Sequence, residues 1–181
     1  MAKFTNSDLI LDHELVDFEI LFCNLEGRAE GFNDKGNRNF RLKFNDDEFA
    51  KSLSEDGWNI KIYTPKNDEY DPYYYLTVKS KFRVDSPNVR QDPEIHMINS
   101  KNDILLKDNH MADLDAKFRA HEVVSCDLII HPSPWSNARF GAGEGITAYL
   151  KQMWAVVNDS PFADRYANRN DDFNDDSDIP F

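Results

Sequence analysis

Tyr73-Tyr74-Tyr75-Leu76-Thr77-Val78-Lys79-Ser80-Lys81-Phe82-Arg83 is the run on which the fold turns. Successive side chains of a β-strand point to opposite faces. Under that period of two the segment sorts into Tyr74, Leu76, Val78, Ser80 and Phe82 on one side and Tyr73, Tyr75, Thr77, Lys79, Lys81 and Arg83 on the other. The first set suits a core, and the second alternates rings with cations. The segment therefore reads as a strand with one buried face.

The same division recurs on both sides of it. Arg38–Phe44 places Phe40, Leu42 and Phe44 on one face and Arg41 and Lys43 on the other. Trp58–Tyr63 opposes Trp58, Ile60 and Ile62 to Lys61 and Tyr63. Earlier in the chain, Val16, Phe18, Ile20 and Phe22 alternate with Asp17, Glu19 and Leu21, so that strand carries acids where the later ones carry bases. His121–His131 puts Val124, Cys126, Leu128 and Ile130 on one face and is closed by Pro132-Ser133-Pro134-Trp135. Ile146–Val157 is a long final strand reached through a glycine-rich loop, Phe140–Gly145. Between these, Asp46–Leu53 is a short helix capped by Asn45 or Asp46 and stopped before Gly57. Ile95–Leu106 reads as a hairpin, and Asp108–Ala116 as irregular chain or a short helix. Many short strands, glycine turns and few helices predict an all-β (β-rich) domain, a small closed or partly closed barrel.

Length and composition set the frame. A chain of 181 residues fits one domain of about 150 residues and a tail: an ordered unit over 1–157, then a linker and tail over 158–181. The N-terminal Met1–Asn6 lacks the apolar run of a signal peptide and no stretch reaches membrane-spanning length, so the expectation is a cytosolic protein, in a host cytosol if viral, with no membrane partner. Cys23 and Cys126 fall inside apolar strand segments and read as core residues. The net charge of -12 runs against a nucleic-acid binder, for which a basic footprint is the rule. Five aspartates of the tail account for part of it, yet residues 1–169 still carry -7. Binding an anion would require bases gathered on one surface with the acids elsewhere, which is the segregation the strand patterns describe.

The chain ends Asp175-Asp176-Ser177-Asp178-Ile179-Pro180-Phe181. From Asn170 onward there are five aspartates and no Lys or Arg, a composition that repels itself and cannot collapse, so this tail is expected to be disordered. A mobile anionic peptide tipped by an aromatic suits a basic partner surface with an apolar pocket: Phe181 fills the pocket, Arg or Lys captures the terminal carboxylate, and Asp175, Asp176 and Asp178 steer. Asp178-Ile179-Pro180-Phe181 resembles the acidic tail tip of bacterial single-stranded DNA-binding proteins. A chance match of four terminal residues is on the order of one in a hundred thousand. The Tyr73-Tyr74-Tyr75 cluster and the Gly145-Ile146-Thr147-Ala148-Tyr149 strand are more similar to phage members, which join an OB-fold to an acidic tail ending in Phe. The resemblance implies an OB-fold-like barrel with loop insertions, a non-catalytic coat for single-stranded DNA in replication, recombination and repair, and recruitment of polymerase-, helicase-, nuclease- or recombinase-class proteins through Ile179, Pro180 and Phe181. For assembly it implies a homo-oligomer, commonly a tetramer in the bacterial type and a dimer in the phage type, and leaves open which of them this chain forms, the dimer being favoured.

Sequence-tolerant binding of single strands needs cations for phosphates and flat rings for unpaired bases. Arg41, Lys43, Lys61, Tyr63, Tyr73, Tyr75, Lys79, Lys81 and Arg83 supply both, and neighbouring strands would merge them into one face. Tyr149, Lys151, Arg139 and Phe140 are weaker candidates; Trp58 and Trp154 read as core or corner residues, and Trp135 as the exception among the tryptophans. Enzyme readings find less. His96, His110, His121 and His131 are scattered without H-E-x-x-H or C-x-x-C spacing, and the glycines of Phe140–Gly145 match no nucleotide-binding loop. Asp92, Glu94 and Asp127 as magnesium ligands of a nuclease are a coincidence an acidic chain produces readily, and Ser133 and Ser136 lack a nucleophile elbow. No cofactor is expected. The competing reading is an acidic protein-interaction module or DNA mimic that docks DNA-processing enzymes without touching DNA.

Overall fold

The computed structural model describes residues 7–31, 33–80, 92–136 and 143–158. Among them the elements run β1 (Leu9–Leu11), β2 (Phe18–Asn24), β3 (Asn39–Phe44), α1 (Asp47–Glu55), β4 (Lys61–Tyr63), β5 (Tyr73–Lys79), β6 (Glu94–Ile98), β7 (Asp103–Leu106), a single 3-10 turn at Asp108–His110, α2 (Met111–Arg119), β8 (Val123–Ser136) and β9 (Glu144–Val157). β2, β3 and β5 form an antiparallel meander. β5 then lies parallel to β9 through Val78↔Ala148 and Lys79↔Tyr149, and β9 runs antiparallel to β8 from Val123↔Val157 to Ser136↔Glu144. A meander, a parallel step and a closing hairpin, with α2 delivering the chain to β8, make a five-stranded Greek-key barrel of the OB type in β2-β3-β5-β9-β8 order. β1 adds to the free side of β8, β4 lies beside the first half of β5, and the β6–β7 hairpin joins the second half of β9. The last two are the insertions in the barrel.

Alternation fills the core. Phe40, Leu42 and Phe44 of β3, Leu76 and Val78 of β5, and Leu128 and Ile130 of β8 are all buried and meet in one cluster. Leu11, Ile95, Met111 and Leu114 close it from the flanking elements. Each such side chain contributes about 1.5–3 kcal/mol on full burial. α1 starts as expected, with the Asp46 carboxylate accepting the Phe49 N–H at 3.1 Å. α2 ends in a Schellman turn: His121 N–H reaches Phe118 O and Glu122 N–H reaches Lys117 O, with His121 at φ 55° in the place glycine usually takes.

Five expectations fail, two of them through bulges that period counting cannot see. Phe22, assigned to the core face of β2, is 71% exposed. Leu21 faces Arg41 while Asn24 faces Asn39, so β2 carries one residue more than β3 there, and the bulge turns Phe22 outward. Val124 is likewise displaced from the Cys126 face by a bulge between Val123 and Ser125. A third irregularity, at Ile129/Ile130 against Gln152/Leu150, switches the buried set of β9 from Ile146, Ala148 and Leu150 to Met153, Ala155 and Val157. The strand expected over Trp58–Tyr63 is confined to Lys61–Tyr63. Trp58 is buried beside Ile146, whereas Ile62 sits on a three-residue strand overhanging the core and stays exposed. Pro132-Ser133-Pro134-Trp135 does not close β8, which pairs with β9 as far as Ser136. Both prolines share one parity, and β1 pairs β8 only up to Ile130, so their missing N–H groups fall on a side with no described partner strand. α2 also runs further than expected, to Arg119.

Asp115 on α2 ties the helix to the chain leaving β2. Its carboxylate, wholly buried, accepts the backbone N–H groups of Leu25 and Glu26, each at 2.8 Å. Burial, with the Asp115 carboxylate next to it, pushes the Cys23 thiol well above the usual thiol range. Asp115→Ala leaves those donors stranded at about 1–3 kcal/mol each. Denaturant unfolding should show a lower midpoint at unchanged slope, with Asp115→Asn in between; a midpoint equal to that of the parent chain refutes the anchoring role.

Candidate nucleic-acid interface

The outward faces of β3, β5 and β4 form one surface because β5 lies between the other two. Their register sets Lys43, Tyr75 and Lys61 in one cross-strand row, with Tyr73 opposite Tyr63 and Thr77 opposite Arg41 on either side of it. Side chains directly opposite one another on a face are within contact reach. Tyr63 and Tyr73 stack with centroids 5.0 Å apart at 29°, and Tyr73 meets Tyr75 edge-on at 6.0 Å. The Arg41 guanidinium lies 4.0 Å from the Tyr75 centroid, and its Nη1 donates to Tyr73 Oη at 3.4 Å. Lys43 Nζ is 5.4 Å from the Tyr73 centroid and 3.1 Å from Glu19 Oε2. Each cation–ring contact is worth about 0.5–1 kcal/mol at such a site. The result is a surface of three tyrosines locked by two cations, with little rotamer freedom left to lose on meeting a ligand.

Arg41, Lys43, Lys61, Tyr63, Tyr73 and Tyr75 are thus brought together. Lys79 lies on the same face at the far end of β5, opposite Asn39 and beside Tyr149 of β9. Lys151 is elsewhere engaged: its ammonium donates to Asp8 at 2.7 Å, and the His131 ring bonds the same carboxylate at 2.8 Å. The Lys151 hydrogen bond is the main reason the Asp8 carboxyl lies below its ordinary range. Lys81, Arg83, Arg139, Phe140 and the tail residues Asp175, Asp176, Asp178, Ile179, Pro180 and Phe181 lie outside the described residues. Trp58 is core, and Trp154 stacks on His96 at 5.8 Å and 10°. Trp135 is half-exposed and packs so closely on Gly145 that a Cβ there would stand 2.9 Å from the indole.

Sequence reasoning missed Phe22. Its ring lies on the far side of Arg41, 5.1 Å from the guanidinium, so that Arg41 is held between Phe22 and Tyr75. The backbone at Phe22 has φ 52°, a conformation costing a bulky residue of order 1–3 kcal/mol. A bulge leaves no trace in the hydrophobic alternation, so no signal in the chain announced it.

Two further titratable clusters among the described residues are held together by their own hydrogen bonds. Asp12, His13 and Asp127 bring three ligand-type groups within 4.8 Å of one another, but His13 gives both its backbone N–H (2.9 Å) and its Nδ1 (2.7 Å) to Asp127 Oδ1, fastening the turn after β1 to β8. Burial opposes ionisation of Asp127, yet these bonds outweigh it and hold its carboxyl below the ordinary range. His96 bridges Glu94 at 2.8 Å and Asp103 at 2.7 Å, while Glu94 also accepts from Gln152. Glu94 and Asp127 thus hydrogen-bond separate sets of partners.

An OB-type barrel is a scaffold for oligonucleotides and oligosaccharides, held on the face of its second and third strands, here β3 and β5. Residues 5–179 match the family described as "Putative phage ssDNA-binding domain", and the chain belongs to that family. Among solved structures, the single-stranded DNA-binding protein from bacteriophage Enc34, in a C-terminal truncation, superposes with a TM-score of 0.46 at 14% identity, covering 81% of this chain and 86% of that one. No curated protein matches the sequence.

Hydrogen bonding to Glu94 above all, helped by Asp103 against the desolvation of the ring, raises the pKa of His96 above its ordinary 6.5. A raised folded value means that the protonated ring's stabilisation is complete below about 6.5 and disappears as pH climbs through the raised value. NMR titration of the His96 ring should give a midpoint above 6.5, and Asp103→Asn should lower it. A midpoint at or below 6.5 in the parent chain contradicts the bridging geometry.

Proposed function

We propose that the protein is a non-catalytic coat for single-stranded DNA, binding without sequence preference through the β3–β5–β4 face and protecting transient single strands in replication, recombination and repair. The observation that carries this reading is the Tyr63–Tyr73–Tyr75 cluster, threaded by Arg41 and Lys43, on the ligand-bearing face of an OB-type barrel. Unpaired bases stack on tyrosines at about 1–3 kcal/mol per base, and every base offers a π-face, which makes such a platform indifferent to sequence. Arg41, Lys43, Lys61 and Lys79 meet phosphates, and the sequence alternation adds Lys81 and Arg83 to the same set. Family membership supports the ligand class. The tail, through Asp175, Asp176, Asp178, Ile179, Pro180 and Phe181, docks DNA-processing enzymes on a basic, pocketed surface.

Titration of oligo-dT followed by tyrosine and tryptophan fluorescence tests this. Saturable quenching is expected, weakening with salt by a log–log slope of about -0.7 per phosphate contact. Tyr75→Ala should lower affinity about 5- to 150-fold, the equivalent of one lost stack, while the melting temperature stays near that of the parent chain. The net charge of -12 favours a second reading, a module that docks enzymes without holding DNA. Absence of any saturable, salt-sensitive quenching would sink the first reading and leave the second.

Removing residues 171–181 should leave DNA binding intact and strengthen it at low salt, because a tethered polyanion at millimolar effective concentration competes with phosphate for the basic face. Loss of DNA binding on truncation would refute this role of the tail.

A further inference from the structure

Phe22 presents a combination that the barrel's own stability does not explain. An extra residue in β2 places it on the outside, its backbone is left-handed, and its ring is 71% exposed. The other described non-glycine residue at positive φ, His121, occupies a helix-capping position and its conformation serves the Schellman turn. Phe22 caps nothing. Bulges beside binding sites re-aim side chains, and strained backbone persists there because the site uses it.

What lies around the ring indicates the use. Arg41 stands between Phe22 and Tyr75, so the two rings share one cation and the tyrosine face continues without a break onto β2. Beyond Phe22 the surface drops into an open groove of about 1280 Å³ between β2, the end of α2 and the start of β8, lined by Arg28, Arg41, Phe118, Arg119, His121 and Val124 among others. Two acids also line it, Glu19 and Glu30, and each already faces a cation: Lys43 at 3.1 Å and Arg28 at 3.3 Å respectively. The groove therefore offers apolar surface with Arg41 at one end and Arg119 at the other, while Arg28 is engaged by Glu26 and Glu30.

Resting on the single-strand reading above, we infer that the DNA path does not stop at β3 but crosses β2 over Phe22 and runs into this groove. Phe22 is a base-stacking platform there, and Arg119 meets a phosphate beyond it. The second and third strands of the barrel would hold only the first part of the bound strand. A polyanion with flat, sequence-independent faces is the occupant that matches an exposed ring followed by arginines. It also follows from continuity, since Arg41 and Thr77 line the groove and stand on the tyrosine face as well.

The test compares two fluorescein-labelled oligo-dT ligands on the full chain, one near the short end and one near the long end of the roughly 4–16 nucleotides that an OB-fold covers. Tyr75→Ala should weaken both. Phe22→Ala should weaken the long ligand by about 5- to 150-fold more than the short one, which loses only the support that the ring gives Arg41. Phe22→Asn, which tolerates the left-handed backbone and keeps the fold, should do the same, and Phe22→Trp should restore the long-ligand affinity. Arg119→Ala should reduce the salt slope for the long ligand by about 0.7 and not for the short one. Parent-like binding of the long ligand by both Phe22→Ala and Phe22→Asn overturns the inference. So does equal weakening of both ligands, which would make Phe22 a support for Arg41 alone. If the unmodified chain binds neither ligand, the single-strand reading itself fails, and that outcome is distinct from the other two.

Discussion

The pairing of β3 with β5 is the constraint on which the rest depends. In that register Phe40 faces Val78, Leu42 faces Leu76 and Phe44 faces Tyr74 on the inside, while Arg41 faces Thr77 and Lys43 faces Tyr75 on the outside. Because side chains alternate with a period of two, a slip of one residue would drive Arg41 and Lys43 inward and strip the core of three large groups. The apolar penalty for that slip holds the register, and the register in turn assembles the cation–ring contacts. Core and surface are two readings of the same ladder, so the geometry of the face comes at no separate cost in folding.

β5 then acts as the hub. Its first half lies between β3 and β4, which brings Tyr63 and Lys61 against Tyr73 and Tyr75; its last residues turn to β9, whose other edge carries β8. Among the described residues, the ladder joining the meander to the long hairpin is that short parallel step, and α2, through Asp115, fixes the far end of β2. This arrangement leaves β2 and β8 as the two strands that do not complete a ladder with each other in the described pairing, and the groove beside Phe22 follows the gap.

How much of this was legible follows from what alternation encodes. Phe40, Leu42, Phe44, Leu76 and Val78 declared their faces in the sequence, and with them Arg41, Lys43, Tyr73 and Tyr75, because a strand that is regular from end to end carries its face assignment in every second residue. The Asp46 cap and the β6–β7 hairpin were readable for similar local reasons. Phe22 and Val124 were not, since a bulge changes the phase of a strand through its partner and leaves its own composition untouched. The prolines of β8 misled because their effect depends on which edge lacks a partner, a property of the sheet. Asp115 was silent for a further reason: its two acceptor bonds reach residues 90 and 89 positions away, and one aspartate in an acidic chain carries no mark of burial.

The acidic balance of the chain and a basic tyrosine face are compatible because charge is settled locally. Away from the face, Arg28, Arg38, Lys51, Lys117 and Lys151 each stand in an ion pair, with Glu26 and Glu30, Asp108, Glu48, Glu122 and Asp8 respectively. On the face the cations are held differently: Arg41 lies against the rings of Tyr75 and Phe22, and Lys43 divides itself between Glu19 and Tyr73. A ring contact keeps a guanidinium in place without cancelling its charge, whereas a carboxylate at the same position would do both. At physiological ionic strength the field of a distant carboxylate decays over about 8 Å. On the proposed single-strand reading, a phosphate arriving on the tyrosines would respond to Arg41 and its neighbours more than to the sum of the chain, and that response would depend on aromatic rather than acidic residues surrounding Arg41.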